Sequence, residues 1–137
     1  GEAIEAGLLR TALHEMHHLV RGWTIENNRY GPGIAIAAAN EGLAEVYSED
    51  IAGSSHAYPP LDDATFTAWA QEILALPGNA NYGEWMFAHP DGREAIGYRT
   101  GAELVRRAMA NSGLDIIEMS ELSPEEIWTL AGFRWPE

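Results

Sequence analysis

Residues 2–22, EAIEAGLLRTALHEMHHLVRG, read as one helix, and the string His14-Glu15-Met16-His17-His18 inside it decides what the rest of the chain must build. On a helix His14 and His18 stand one turn apart, about 40° of rotation from each other, so two imidazoles can reach one tetrahedral metal ion at roughly 2.0 to 2.1 Å. Glu15 lies about 100° round from His14, off the ligand face but within reach of a water on that metal, where a general base belongs. Leu8, Leu9, Ala12, Met16, Leu19, Val20 and Trp23 fall at roughly 120° to 240° and form a broad apolar stripe. The pattern predicts a helix anchored on the core by that stripe, with its histidine face turned to a cleft. His17, about 60° back from His14 on the flank away from Glu15, reads as a hydrogen-bonded structural or cleft-lining residue. The i, i+4 histidine pair leaves Glu15 better placed than an i, i+3 pair would.

A chain of 137 residues with 46% hydrophobic composition can bury one sizeable core and is most simply a single domain over 1–137. There are no cysteines, so zinc must be held by histidine and carboxylate, the ligand set of hydrolytic sites more than structural ones. A net charge of −13 with only 8 basic residues disfavours nucleic acid and anionic membrane surfaces as partners. No apolar run approaches the roughly 18 residues of a membrane-spanning helix, and no charged-then-apolar leader opens the chain. A soluble, cytoplasmic protein is the expectation.

The hydrophobic pattern predicts a mainly α fold. After the first helix, Thr24 to Gly33 reads as loop, and a second helix runs from Ile34 to Ala52 with Ile36, Ala39, Leu43, Val46 and Tyr47 on one face. Ser54 to Pro60 is loop, and a third helix starts at Leu61-Asp62-Asp63 and ends at Pro77-Gly78, with Phe66, Trp69 and Ile73 at core spacing. Asn79 to Glu94 is expected to be irregular, pinned by Trp85, Met86 and Phe87. A fourth helix covers Arg93 to Asn111 and stops at Gly113, and a short extended piece is possible at Asp115 to Met119. The last helix opens on a full signal: Ser123 as cap, Pro124 at the first position, Glu126 closing a capping box, and Leu122 stapled to Ile127.

A catalytic zinc takes three protein ligands and leaves a fourth position to water, so one more group is needed. Glu41, in Asn40-Glu41-Gly42-Leu43-Ala44-Glu45 on the second helix, is the candidate. Glu45 lies one turn on, where it can accept the free N–H of a ligand histidine and fix its tautomer. Without the upstream histidines the same pair would read as a solvated acidic face.

The strings His14-Glu15-Met16-His17-His18-Leu19-Val20-Arg21, Glu41-Gly42-Leu43-Ala44-Glu45 and Gly97-Tyr98-Arg99-Thr100-Gly101, in that order, resemble an uncharacterised bacterial family of predicted zinc-dependent proteases over about Leu9 to Trp128. More broadly, the first two strings are similar to the gluzincin metallopeptidases. The resemblance implies a zincin-like helical core with zinc as cofactor, His14, His18 and Glu41 as its ligands, and Glu15 as general base and acid. It also implies that Tyr98 is catalytic, donating a hydrogen bond to the oxyanion, with Tyr82, His56 and His89 as substitutes; from the residues alone, Tyr98 shares a helical face with Ala102, Val105 and Met109 and could be an ordinary half-buried tyrosine.

Gluzincins carry a small twisted sheet before the zinc helix, whose edge strand holds the substrate. Only 13 residues precede His14, too few for that sheet, and the expectation is a chain trimmed at its N-terminus. The leading expectation is a zinc peptidase acting on a peptide or protein substrate. The rivals are a zinc amidase of non-peptide substrates and a non-catalytic zinc-binding or peptide-binding module. A missing sheet would expose apolar surface and could drive homo-oligomer formation.

Overall fold

Alanine and glycine dominate residues 35–44, and small side chains on every face let the helix that carries them serve as a hub around which others pack closely. In the computed structural model, which describes residues 2–21, 29–53, 56 and 58–137, the elements are α1 (Glu2–Arg21), α2 (Ile34–Ala52), α3 (Asp63–Leu74), α4 (Tyr82–Met86), α5 (Ile96–Ser112), α6 (Ile116–Met119) and α7 (Pro124–Leu130). Each of the other six packs on α2, and α2 is buried on nearly all sides. Among the described residues there is no sheet, only one antiparallel bridge between Ala88 and Glu94, and no helix is long and apolar enough to cross a membrane. The fold is mainly α, as the periodicity predicts.

The closest crossing is α2 against α5. A Cβ on Gly42 would stand 2.1 Å from the Gly101 carbonyl oxygen, and one on Gly101 would stand 2.0 Å from that of Ala38, so the two backbones meet with no room for side chains. Gly97 is equally constrained, since a Cβ there would come within 2.0 Å of the Met86 sulfur. Both glycines of Gly97-Tyr98-Arg99-Thr100-Gly101 therefore serve packing, and they fix where Tyr98 and Arg99 are presented. Phe66, Met86, Leu104 and Trp128 fill the core beside this crossing. The Trp128 indole N–H donates to the Ala35 carbonyl at 2.9 Å, so the largest buried ring is also satisfied.

Local signals set most boundaries. The Asp62 side chain accepts from the Thr65 N–H and starts α3; Ser123 and Glu126 close the expected capping box of α7. The segment at Asp115–Met119 is not extended. Asp115 and Glu118 form a second capping box, which turns Ile116–Met119 into one helical turn despite its two β-branched residues. Asn81 caps α4 within the stretch expected to be irregular, and α5 begins at Ile96, after the left-handed Ala95, rather than at Arg93. Of the three expected pins, Met86 is buried and Trp85 half-buried, but Phe87 is exposed.

The largest departure concerns the orientation of α1. Its histidine face turns inward onto α2, with His14, His17 and His18 only 9, 5 and 7% exposed, while the apolar stripe faces outward: Leu8, Leu9, Met16 and Leu19 are 66, 50, 53 and 75% exposed. Trp23 and the side chain of Val20 lie outside the described residues, as do Thr24–Asn28 of the expected loop. The reason is electrostatic. Glu41 and Asn40 on α2 offer polar partners to His14, His18 and Arg21, and these contacts dock the helix by its polar side.

Candidate metal centre and catalytic cleft

Because α1 presents residues 14, 18 and 21 along one line, each meets a polar group of α2. His14 Nε2 lies 2.8 Å and His18 Nε2 3.0 Å from the same Glu41 oxygen, Oε2, and the two Nε2 atoms are 2.9 Å apart. All three residues are buried, and together they form a group able to hold a metal ion. A tetrahedral ion with bonds of about 2.0 Å needs donor atoms roughly 3.3 Å apart, so the triangle fits zinc with an outward adjustment of a few tenths of an ångström. The chemistry of the donors fits as well. Two imidazole nitrogens and a carboxylate oxygen with no cation between them crowd electron-rich atoms into a dry space, which a divalent ion relieves.

Glu45 stands behind this triangle, its Oε1 2.8 Å from His14 Nδ1, an ion-pair approach and not an aligned hydrogen bond. Burial disfavours the charged imidazolium of His14, yet the contacts with Glu41 and Glu45 outweigh it and raise the pKa to about 9. Burial likewise disfavours the Glu41 carboxylate, and the two histidines more than compensate, holding its pKa below the usual carboxylate value. The site is thus arranged to collect positive charge.

A cleft of about 680 Å³ opens beside the triangle. His14, exposed Glu15, Glu45 and half-buried Tyr98 are in its wall. Burial and then the neighbouring Glu41 charge push the Tyr98 phenol well above the ordinary tyrosine pKa. The wall also contains Arg10 and Tyr58, which the sequence reading did not single out, together with Phe87, expected only as a pin of its segment, and Arg99, quoted only within a motif. Tyr58 and Phe87 both lie near the Tyr98 ring, with centroids 6.4 and 5.9 Å away. They sit in turns without periodicity, so no pattern marks them.

A family model described as predicted Zn-dependent protease (DUF2268) matches residues 4–129. The chain belongs to this family. No curated protein and no solved structure matches it. Zinc is the cofactor that the family's description names, and among the described residues His14, His18 and Glu41 form a group able to hold it.

Of the three substitutes for Tyr98, His56 and His89 stand elsewhere in this family member, whereas Tyr82 lies beside Tyr98. His56 meets Glu49 on the far part of α2 and Arg106 on α5, and His89 packs on Trp85 and pairs with Asp91. Tyr82 is out of the cleft wall with its hydroxyl buried; burial, and then the Glu41 charge, push its pKa up to about 12. His17 is hydrogen-bonded, with Nε2 2.8 Å from Ser120 Oγ, and burial lowers its pKa to about 4.

Removing one ligand should empty the centre. Elemental analysis is expected to find about one zinc per chain in the parent protein and essentially none in His14→Ala. Equal zinc in both would show that metal is held somewhere other than this triangle.

Proposed function

We propose that this protein is a zinc-dependent peptidase that hydrolyses peptide bonds by water attack, with Glu15 as general base and then general acid. The observation that carries the reading is the convergence of His14 Nε2, His18 Nε2 and Glu41 Oε2 beside a cleft that also presents Glu15 and Tyr98. Zinc bound by these three residues would supply an electrophile that polarises a carbonyl and lowers the pKa of a water from about 15.7 towards 7.

The remaining steps belong to side chains. Glu15, exposed to the cleft and one position along from His14, takes a proton from the attacking water as the new C–O bond forms. As the C–N bond breaks, Glu15 returns that proton to the leaving amine, so the carboxylate is regenerated. Tyr98 stays protonated throughout the neutral range because of its raised pKa, and its O–H is available to the oxyanion of the tetrahedral intermediate. Glu45 holds the His14 ring by its Nδ1 side, which keeps Nε2 turned to the metal position.

The test is a peptide-library digest with the zinc-loaded chain. Cleavage that disappears on chelation and returns with zinc is the expected result. Hydrolysis of simple amides without cleavage of any peptide would instead indicate a zinc amidase, and peptide binding without turnover a non-catalytic module.

A further inference from the structure

A second cavity, of about 470 Å³, lies against the other flank of α1 and shares no lining residue with the catalytic cleft. Its floor includes Arg21, which is only 4% exposed. The guanidinium is fixed on three sides: Nε donates to Asn40 Oδ1 at 2.5 Å, Nη1 donates to the Ser120 carbonyl at 2.7 Å, and the Tyr30 ring lies 4.7 Å from the central carbon. Nη2 is buried and has no hydrogen-bond partner. Among the described residues no carboxylate pairs with Arg21, so a permanent charge with a spare donor is held out of water at considerable cost.

Arg29 adds a second cation to the same lining, against one carboxylate, Glu121. Two of the chain's 8 basic residues meet here although acidic residues number 21, so the local charge runs against that of the molecule. Met16, Tyr47 and Ile117 supply an apolar wall, and the volume falls within the range of roughly 300 to 1,000 Å³ of small-molecule sites.

We propose that this cavity binds a small organic carboxylate with an apolar body, its head group on Arg21 and Arg29 and its body against Met16, Tyr47 and Ile117. A carboxylate satisfies the spare donor by a charge-assisted hydrogen bond, and the apolar wall adds affinity that a bare inorganic anion would not gain. Such a ligand comes either as a free amphiphilic acid or as the C-terminus of a peptide.

The test is calorimetric titration of the zinc-loaded chain with octanoate, N-acetylphenylalanine and the uncharged N-acetylphenylalaninamide. At least one acid is expected to saturate a single site, with the amide binding at least about tenfold more weakly. Octanoate alone would indicate a free acid, N-acetylphenylalanine alone a peptide C-terminus, and both a site that accepts either apolar body behind the same head group. Arg21→Gln should weaken binding by about tenfold if it folds. Arg29→Gln and Ile117→Glu change exposed residues that belong to neither the ligand triangle nor the cleft beside it, and each should weaken binding several-fold while leaving zinc content unchanged. No saturable binding of either acid, equal binding of the amide, or binding that both exposed variants leave intact would overturn the proposal, the last by locating the acid at the metal cleft.

Discussion

Glu15→Gln should bind zinc as the parent does and lose peptide hydrolysis by on the order of 10³-fold, which corresponds to about 4 kcal/mol of barrier. The residue is exposed and belongs to neither the ligand triangle nor the α1–α2 contact, so the change removes a proton acceptor and little else. Glutamate and glutamine have nearly the same helix propensity, and the fold should be within about 0.5 kcal/mol of the parent. The measurement is paired: zinc content and turnover on the best substrate of the library digest. Full zinc with undiminished turnover would remove Glu15 from the mechanism.

The largest structural effect is expected from Gly101→Ala. A methyl group there meets the Ala38 carbonyl oxygen at 2.0 Å and its carbon at 2.8 Å, and backbone, unlike a side chain, cannot swing aside. Helices α2 and α5 must separate, which opens gaps around Leu43, Leu104 and Val105. The better helix propensity of alanine returns about 1 kcal/mol, against about 3 kcal/mol or more for the overpacked crossing. The net loss of roughly 2 kcal/mol should lower the thermal midpoint by about 5 to 10 °C. Gly7→Ala is the matched control, because nothing lies within 4 Å of a Cβ at that helical position, and it should be neutral or slightly stabilising. A Gly101→Ala protein as stable as the parent would mean that the helices do not cross at these glycines.

The metal triangle was legible because its chemistry is written in short spacings. Two histidines four apart and a carboxylate helix after them leave few other ways to complete a three-ligand site, and Glu41 meets both histidines in the structure. The sense in which α1 faces the core was not legible. Periodicity separates two faces of a helix, but burial of the apolar one is a tendency that buried polar partners can reverse, as Arg21 with Asn40 and His14 with Glu41 do here. At Ile116-Ile117 the β-branched pair suggested extended chain, whereas the flanking Asp115 and Glu118 decided the matter by satisfying the first backbone N–H groups of a helical turn. Tyr58 and Phe87 reach the cleft through turns, where side-chain direction follows from tertiary geometry and no local rule announces it.

The inward turn of α1 would make a bound metal a fastener between helices. Two of the residues able to hold an ion are on α1 and one is on α2, and the apolar face of α1 contributes little to holding it down, so an ion shared by the two helices would act as a reversible cross-link. By linkage, an ion present at 1,000 times its dissociation constant adds about 4 kcal/mol to the state in which the helices are joined. Departure of the ion and release of α1 would then be two views of one equilibrium, and the local metal supply would set the fraction of the protein that keeps its shape.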